Sequence, residues 1–502
     1  MRLRRLTVAS TPPEALGHRG LMSMVGLVAQ SATKFLTNWL SGRLGGPSLL
    51  GTVSLAMSTA QLLSLVGPTA VGAASSKFLA RSVGEGDQEL ATASARYLVR
   101  LSALTLLPLG LSGAAIWRAL GGSAAGSVVI VFLVLGLSGY AVARGMFFGN
   151  RHIGPSGAWD VVTAAAGSAG TVGMMAAGVR DVVVLAPLAA AYLVYAWAGF
   201  PRGAKGRPPA PLRREIRTFV ALNALGTIAS AGFVQASLLA ANAVGGREGA
   251  GHYSSAFTLA APITIMVGAG SAVLYPSMAE ALGRGDLRSF TRQTHQATKA
   301  ISVLISGLIG LLIVLGDVVL RIIWGSSFAA AEPLLPVMLG AVFVNAIGVP
   351  SVNALTSRTT AHSTRTAAYA WVGAFVGALT WLAAAPSWGV TGVAVGYFVA
   401  ATVTSALAVV NLWREDRHSW AGLLGRACAV LAVSALAWFI PHRDGWPYPQ
   451  RYLTAVGFLL VWGLLMKSEL REVFTVLRSG RRARSTPTSS SDGTPTDPQR
   501  GA

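Results

Sequence analysis

The chain of 502 residues contains one cysteine, Cys428. An intramolecular disulfide and a Cys-x-x-Cys metal or redox site are therefore excluded. Cys428 lies in an apolar run and is expected to be a small buried hydrophobe. Charge is also scarce: Asp, Glu, Lys and Arg together make 12% of the residues, about half the ~25% of a soluble domain. Acidic residues are the rarer sign, 19 against 40 basic ones. Nucleotide and hydrolase signatures are missing: the chain has no G-x4-G-K-[ST], no H-E-x-x-H and no G-x-S-x-G. An ATPase of its own, a zincin site and a serine-hydrolase elbow are thereby unsupported. The seven histidines (His18, His152, His252, His295, His362, His418 and His442) are scattered without metal-ligand spacing.

What remains is apolar. Hydrophobic residues make 53% of the chain, the mean hydropathy is +0.56, and glycine reaches 58 residues. Abundant glycine suits closely packed membrane helices. A membrane-spanning helix needs about 20 mostly apolar residues. Fourteen such segments are expected, near 20–41, 50–72, 99–117, 124–143, 157–178, 182–200, 218–241, 253–275, 300–316, 333–353, 367–384, 390–411, 421–440 and 449–466. With these spans, 32 of the 40 Lys and Arg fall on the side of the N-terminus and seven on the other, leaving Lys34 inside a span. The positive-inside rule then places both termini in the cytoplasm. The net charge of +21 follows from this loop distribution, so no nucleic-acid partner is implied.

The expected organisation is a cytoplasmic tail at 1–19, a first lobe at 20–200 and a basic cytoplasmic linker at 201–217. A second lobe follows at 218–412, then two further helices at 413–467 and a disordered polar tail at 468–502. The basic start precedes a span too long for a signal-peptide core and is expected to remain uncleaved. The two lobes are read from an internal repeat. "GGPSLLGTVSLA" (45–56) matches "GGREGAGHYSSA" (245–256) at five positions, offset by 200. "SVGEGDQEL" (82–90) mirrors "ALGRGDLRSF" (281–290), pairing Gly84, Gly86 and Asp87 with Gly283, Gly285 and Asp286. Each unit holds six spans, an even number, so the halves are parallel repeats about an axis along the membrane normal. The two G-x-G-D loops resemble phosphate or metal loops superficially. Turns whose Asp caps the next helix are the simpler reading.

The stretch "LSGRLGGPSLLGTVSLAMSTAQLLSLVGPTAVGAASSKFLARSVGEGD" resembles the opening of the polysaccharide transporter family, within the multidrug/oligosaccharidyl-lipid/polysaccharide exporter superfamily. "VLRIIWGSSFAAAEPLLPVML" (318–338) and "PSWGVTGVAVGYFVA" (386–400) resemble it too. The resemblance covers about residues 20–412. It implies an all-α polytopic membrane protein of about 14 transmembrane helices, with two six-helix lobes around a central cavity and two extra C-terminal helices. It also implies an alternating-access flippase that carries a polyprenyl-diphosphate-linked oligosaccharide to the outer leaflet for cell-surface polysaccharide synthesis. Lipid II flippases are a neighbouring branch, but their acidic "DAF" pattern after the first helix is replaced here by "GRLGGPSLLGTVSLA". Drug/cation antiporters usually carry an acid late in the first helix, and none stands there.

A translocation site should show as polar residues inside the spans, where they are costly. Gln30, Lys34 and Asn38 recur at i, i+4 and i+8 in the first span, on one face, with Leu27, Phe35 and Leu36 opposite. That stripe suits a cavity wall. Lys34 would bind phosphate; snorkelling to the interface is the alternative for its ammonium. Arg43, Asn223, Gln235 and Asn345 are further substrate-binding candidates, although amides also make ordinary interhelical bonds. The repeat counterpart of Lys34 is Val234. Asp160 and Glu332 are candidates for ion coupling, with helix capping or dipole pairing the plainer reading. No cofactor or metal is expected. The energy source is left among proton coupling, sodium coupling and the membrane potential. The expected partners are the lipid-linked glycan, membrane lipids and cytoplasmic glycosyltransferases. A small-molecule exporter of the same superfamily and a lipid II flippase are the alternatives. A membrane glycosyltransferase or polymerase would need a substantial outer loop, and the outer loops are short.

Overall fold

A computed structural model describes residues 16–201, 206–417, 419–444 and 448–472. The expected N-terminal tail up to residue 15 and the C-terminal tail from 473 lie outside the described residues, which are helical throughout apart from short connections. In chain order the α-helices are α1 (Leu16–Leu65), α2 (Pro68–Gly84), α3 (Gln88–Ala119), α4 (Ala124–Gly149), α5 (Ile153–Ala176), α6 (Ala186–Gly199), α7 (Ala210–Thr227) and α8 (Phe233–Leu259). They continue with α9 (Ala261–Gly283), α10 (Leu287–Val314), α11 (Gly316–Trp324), α12 (Leu334–Arg358), α13 (Thr360–Asp416), α14 (Ala421–Arg443) and α15 (Tyr448–Leu465).

Among the described residues, nine continuous helical runs are long and apolar enough to cross a membrane. Three of them, containing α1, α8 and α13, turn at a glycine of positive φ: Gly46 (69°), Gly246 (62°) and Gly389 (57°). Glycine alone adopts this geometry without a Cβ penalty, so one run houses two expected spans. The chain is thus an all-α polytopic membrane protein. Residues 210–217, expected in the basic linker, form the first turns of α7, and α11 is a short helix between two expected spans. Cys428 is not buried as expected but lies exposed on α14, where an apolar thiol can face lipid.

The repeat is visible in backbone detail. Gly46 and Gly246, 200 residues apart, share φ/ψ of 69°/−169° and 62°/−163°. Just beyond them α1 and α8 cross. A Cβ on Gly51 would stand 1.8 Å from the carbonyl oxygen of Arg247, and one on Gly251 would stand 1.9 Å from that of Pro47. The two close approaches are related by the same offset of 200. One helix later the Asp87 carboxylate accepts from the Leu90 amide at 2.8 Å, and Asp286 accepts from the Ser289 amide at 3.0 Å. Both G-x-G-D loops are therefore helix caps, with Gly86 and Gly285 at positive φ.

Each half has its own apolar core. In the first, Trp117, Leu133, Leu185 and Tyr192 pack between α1, α3, α4 and α6, and Phe78, Leu98, Phe147 and Tyr195 form a second cluster. Small residues bring α2 and α4 together: a Cβ on Gly145 would lie 2.0 Å from the Gly72 carbonyl oxygen. The second half packs Trp324, Phe328, Met338 and Phe343, and α14 and α15 lean on α10, where Trp462 donates to Ser306 Oγ at 3.2 Å.

Candidate functional site

The two halves meet chiefly along α1 and α8, and a cavity of ≈ 300 Å³ opens between these helices and the start of α9. Lys34 and Gln61 both line it. On one straight helix these residues, 27 positions apart, would be ~40 Å apart at ~1.5 Å per residue. The turn at Gly46 brings both onto one cavity.

The lining follows the repeat. Lys34 and Val234 both line the cavity, and the further pairs Phe35/Gln235, Asn38/Leu238, Ser54/Ser254, Met57/Phe257, Ser58/Thr258 and Gln61/Ala261 line it at the same offset of 200. The first half contributes a lysine, an asparagine and a glutamine where the second places valine, leucine and alanine. Only Phe35/Gln235 reverses the pattern. One wall thus carries the cation, and the other is uncharged and mixes apolar side chains with hydroxyls and one amide. Among the described residues, no Asp or Glu lines the cavity.

Lys34 is exposed to this space and makes no hydrogen bond or ion pair among the described residues. Around it the polar groups are engaged. Asn38 Nδ2 donates to Thr258 Oγ1 at 3.1 Å and so ties α1 to α8. The Ser54 and Ser254 hydroxyls bond at 2.6 Å, and Tyr253 OH donates to Ser237 Oγ at 2.7 Å. An ammonium without a counter-ion, beside hydroxyls and amides, can receive an anion.

The remaining expected site residues are dispersed. Gln30 is buried and its Nε2 donates to the Asp160 carbonyl oxygen of α5 at 3.2 Å. Thr33 and Ser168 continue the same α1–α5 seam. A step of four residues advances a helix by ~400°, so i, i+4 and i+8 drift by ~40° each. That drift turns Gln30 into the seam while Lys34 and Asn38 reach the cavity. It also brings Phe35, assigned to the opposite face, into the lining. Gln235 lines the cavity from α8. Arg43 is exposed near the turn of α1, with an Nη atom against Gly325. Asn223 on α7 is half-buried, Asn345 on α12 is exposed, and neither lines the cavity.

The acidic candidates belong to other clusters. Asp160 is only 1% exposed and stands two turns inside α5, whose N-cap is His152. It is no capping residue. Its Oδ1 accepts from Tyr140 OH at 2.8 Å, and Arg144 Nε approaches its Oδ2 at 3.6 Å. Gly26 of α1 closes over it, since a Cβ there would meet Oδ2 at 2.5 Å. Arg144, read from sequence as a loop residue, lies within α4. A buried acid inside a span requires a cationic partner nearby, which is the signal that would have assigned it. Glu332 precedes α12 and pairs loosely with Arg321 at 3.8 Å and with His442 at 3.9 Å. His442 also lies 3.8 Å from the buried Asp317. Gln61, Tyr253 and Thr258 were missed. Each is a polar residue in an apolar run, and pairing at offset 200 would have drawn Gln61 and Thr258 to the same surface.

Comparison with known proteins places this geometry in a fold. The MatE family profile matches residues 23–122. No curated protein sequence matches the chain. Among solved structures, the lipid II flippase MurJ in its inward closed conformation is similar at a TM-score of 0.62 and 12% identity, covering 90% of this chain and 99% of that one. The crystal structure of a MATE point mutant is similar at 0.56 and 14% identity, over 84% and 98% of the two chains. An inward-facing multidrug resistance MATE family transporter of the MOP superfamily is similar at 0.53 and 15% identity, over 81% and 98%. The chain therefore has the fold shared by these proteins over nearly their whole length.

Proposed function

We propose that the chain is a transporter, not an enzyme, and that it moves a polyprenyl-diphosphate-linked oligosaccharide from the cytoplasmic to the outer leaflet for cell-surface polysaccharide synthesis. The observation that carries this reading is Lys34: a cation that has no counter-ion among the described residues, in a cavity that none of their acids lines, between two repeat-related helices. A diphosphate supplies the missing charge. The hydroxyls and amides beside it suit a first sugar, and the apolar side chains of Val234, Leu238 and Phe257 suit a prenyl chain. At ≈ 300 Å³ the cavity stands at the lower end of ligand sites, about 300–1,000 Å³. It suits the linkage, and the rest of the glycan requires the lobes to part.

A small-molecule exporter is the competing function on this fold. Cationic drugs need an acidic wall, which the described residues of this cavity do not offer. The similarity to a lipid II flippase keeps that cargo as the nearest alternative within the proposed chemistry. For energy, the buried acid of the first half is already paired with Arg144. A membrane potential negative inside favours outward movement of an anion by about 2.3 kcal/mol per charge per 100 mV. We therefore favour the potential over proton or sodium exchange, with both termini cytoplasmic and glycosyltransferases supplying the cargo on that side. The test is surface-glycan complementation with Lys34→Ala and Lys34→Arg at matched protein levels. Full export by Lys34→Ala rejects the phosphate role. A deletion strain that gains drug susceptibility and keeps its surface glycan supports the exporter instead.

A further inference from the structure

A second basic site lies away from the cavity, where α2 and α7 pack together. Phe78 of α2 meets Phe219 of α7 edge-on, with ring centroids 5.7 Å apart, and Ile216 is buried in the cluster around Phe78 and Leu98. Beside this contact runs a groove of ≈ 750 Å³, lined by Lys77 from α2 and by Pro211, Arg214, Glu215, Phe219 and Leu222 from α7, among others.

Its charges are not balanced. Glu215 is the one acid in the lining and is approached by Arg81 at 3.9 Å; Arg81 also holds Glu85 at 3.1 Å. Lys77 Nζ lies 4.5 Å from the Phe219 ring centroid and 5.1 Å from that of Phe78, and no carboxylate pairs with it among the described residues. The two rings hold the ammonium in place and leave its charge available. Arg214 is exposed and makes no ion pair among the described residues. Along α7 the chemistry changes within one turn. Arg213, Arg214 and Arg217 come first, and Phe219 to Leu225 carry no charge. Leu222 is 56% exposed. Cations followed by exposed apolar side chains mark the boundary between lipid headgroups and hydrocarbon.

We propose that this groove binds the phosphate headgroup of an anionic phospholipid, held between Lys77 and Arg214, with an acyl chain laid over Phe219 and Leu222. Both walls exist only while α2 and α7 touch, so a bound lipid stabilises that contact. The site is independent of the cargo proposed for the central cavity.

The test is thermal unfolding of the full chain in neutral detergent, titrated with phosphatidylglycerol, with phosphatidylcholine of the same chains, or with inorganic phosphate. Phosphatidylglycerol should raise the melting temperature beyond phosphatidylcholine, and inorganic phosphate should not. Lys77→Gln combined with Arg214→Gln should weaken the phosphatidylglycerol response by about 30-fold in apparent affinity, as expected for two cations near an anionic headgroup. The phosphatidylcholine response should stay unchanged. Removing two charges elsewhere, with Arg288→Gln and Arg292→Gln, should leave the phosphatidylglycerol response intact. If the groove double variant does not fold, Leu222→Trp, which fills the acyl floor and keeps both charges, should give the same selective loss. The proposal is overturned if the groove variants respond like wild type, if the control pair loses as much, or if inorganic phosphate alone reproduces the shift. It is also overturned if undecaprenyl phosphate displaces phosphatidylglycerol at lower concentration, which would make the groove a cargo site.

Discussion

The hydroxyls of Ser54 and Ser254 hydrogen bond to each other at 2.6 Å across 200 residues of sequence. Each is the other's counterpart in the repeat, so the bond lies where the two halves are related to each other. The crossing glycines Gly51 and Gly251 lie one turn away on the same helices. Ser54 and Ser254 also line the cavity that holds Lys34. The contact that joins the halves and the candidate binding surface are therefore one structure, and parting the halves must open the site.

This contact can be locked. Hydroxyl oxygens at 2.6 Å place the two Cβ atoms near disulfide range, about 3.5–4.5 Å. A chain with Ser54→Cys and Ser254→Cys, with the exposed Cys428 replaced by Ser, should cross-link under mild oxidation. Export should stop on oxidation and return on reduction. Export that continues with the cross-link complete, shown by mass spectrometry, would mean that the halves need not separate here.

The crossing itself should tolerate no added methyl. Gly51→Ala places a carbon 1.8 Å from the Arg247 carbonyl oxygen, and backbone cannot give way as a side chain can. A loss of about 1–3 kcal/mol is expected from overpacking, seen as a lower melting temperature in detergent. Gly251→Ala should cost a similar amount because its neighbour is the equivalent Pro47 carbonyl. Gly463→Ala has open space around it and should be close to neutral.

The pair formed by Asp160 and Arg144 should behave as a buried ion pair. Asp160→Asn leaves Arg144 without its carboxylate, at an expected cost of about 3–5 kcal/mol. Replacing both, with Asp160→Leu and Arg144→Met, should be milder than the single change, because no charge is then stranded. Folded yield and melting temperature of the three variants decide this. A double variant worse than Asp160→Asn would show that the charges are needed for more than each other.

Much of this was legible in the sequence because membrane helices have a simple grammar. Twenty apolar residues, a basic loop and a glycine turn can each be seen in one dimension. The offset of 200 predicted a pairing that the structure shows in matched dihedral angles and matched close approaches. The site was less legible. Gln30, Lys34 and Asn38 look like one stripe, but the ~40° drift per four residues sends Gln30 against α5 and the other two toward α8. Arg144 is hidden because the expected span stops at residue 143, one position short of it, while the helix runs to Gly149. Which helices face each other depends on packing across hundreds of residues, and only the repeat gave access to that.

The repeat also supplies the sharpest test of Lys34. Lys34 and Val234 line the same cavity from equivalent positions. If the ammonium works by neutralising a bound phosphate, its exact origin matters less than its presence in that space. Lys34→Val should therefore cut surface glycan by roughly 10–100-fold, the equivalent of a lost hydrogen bond to a charged group. Adding Val234→Lys should restore a measurable part of it, since the new ammonium enters the same cavity from the opposite wall. Val234→Lys alone should bring two cations together and impair export without abolishing folding. A snorkelling lysine predicts the reverse: Lys34→Val would be harmless, and Val234→Lys would have nothing to rescue. Quantifying surface glycan for the four combinations, at equal membrane protein levels, separates the two roles.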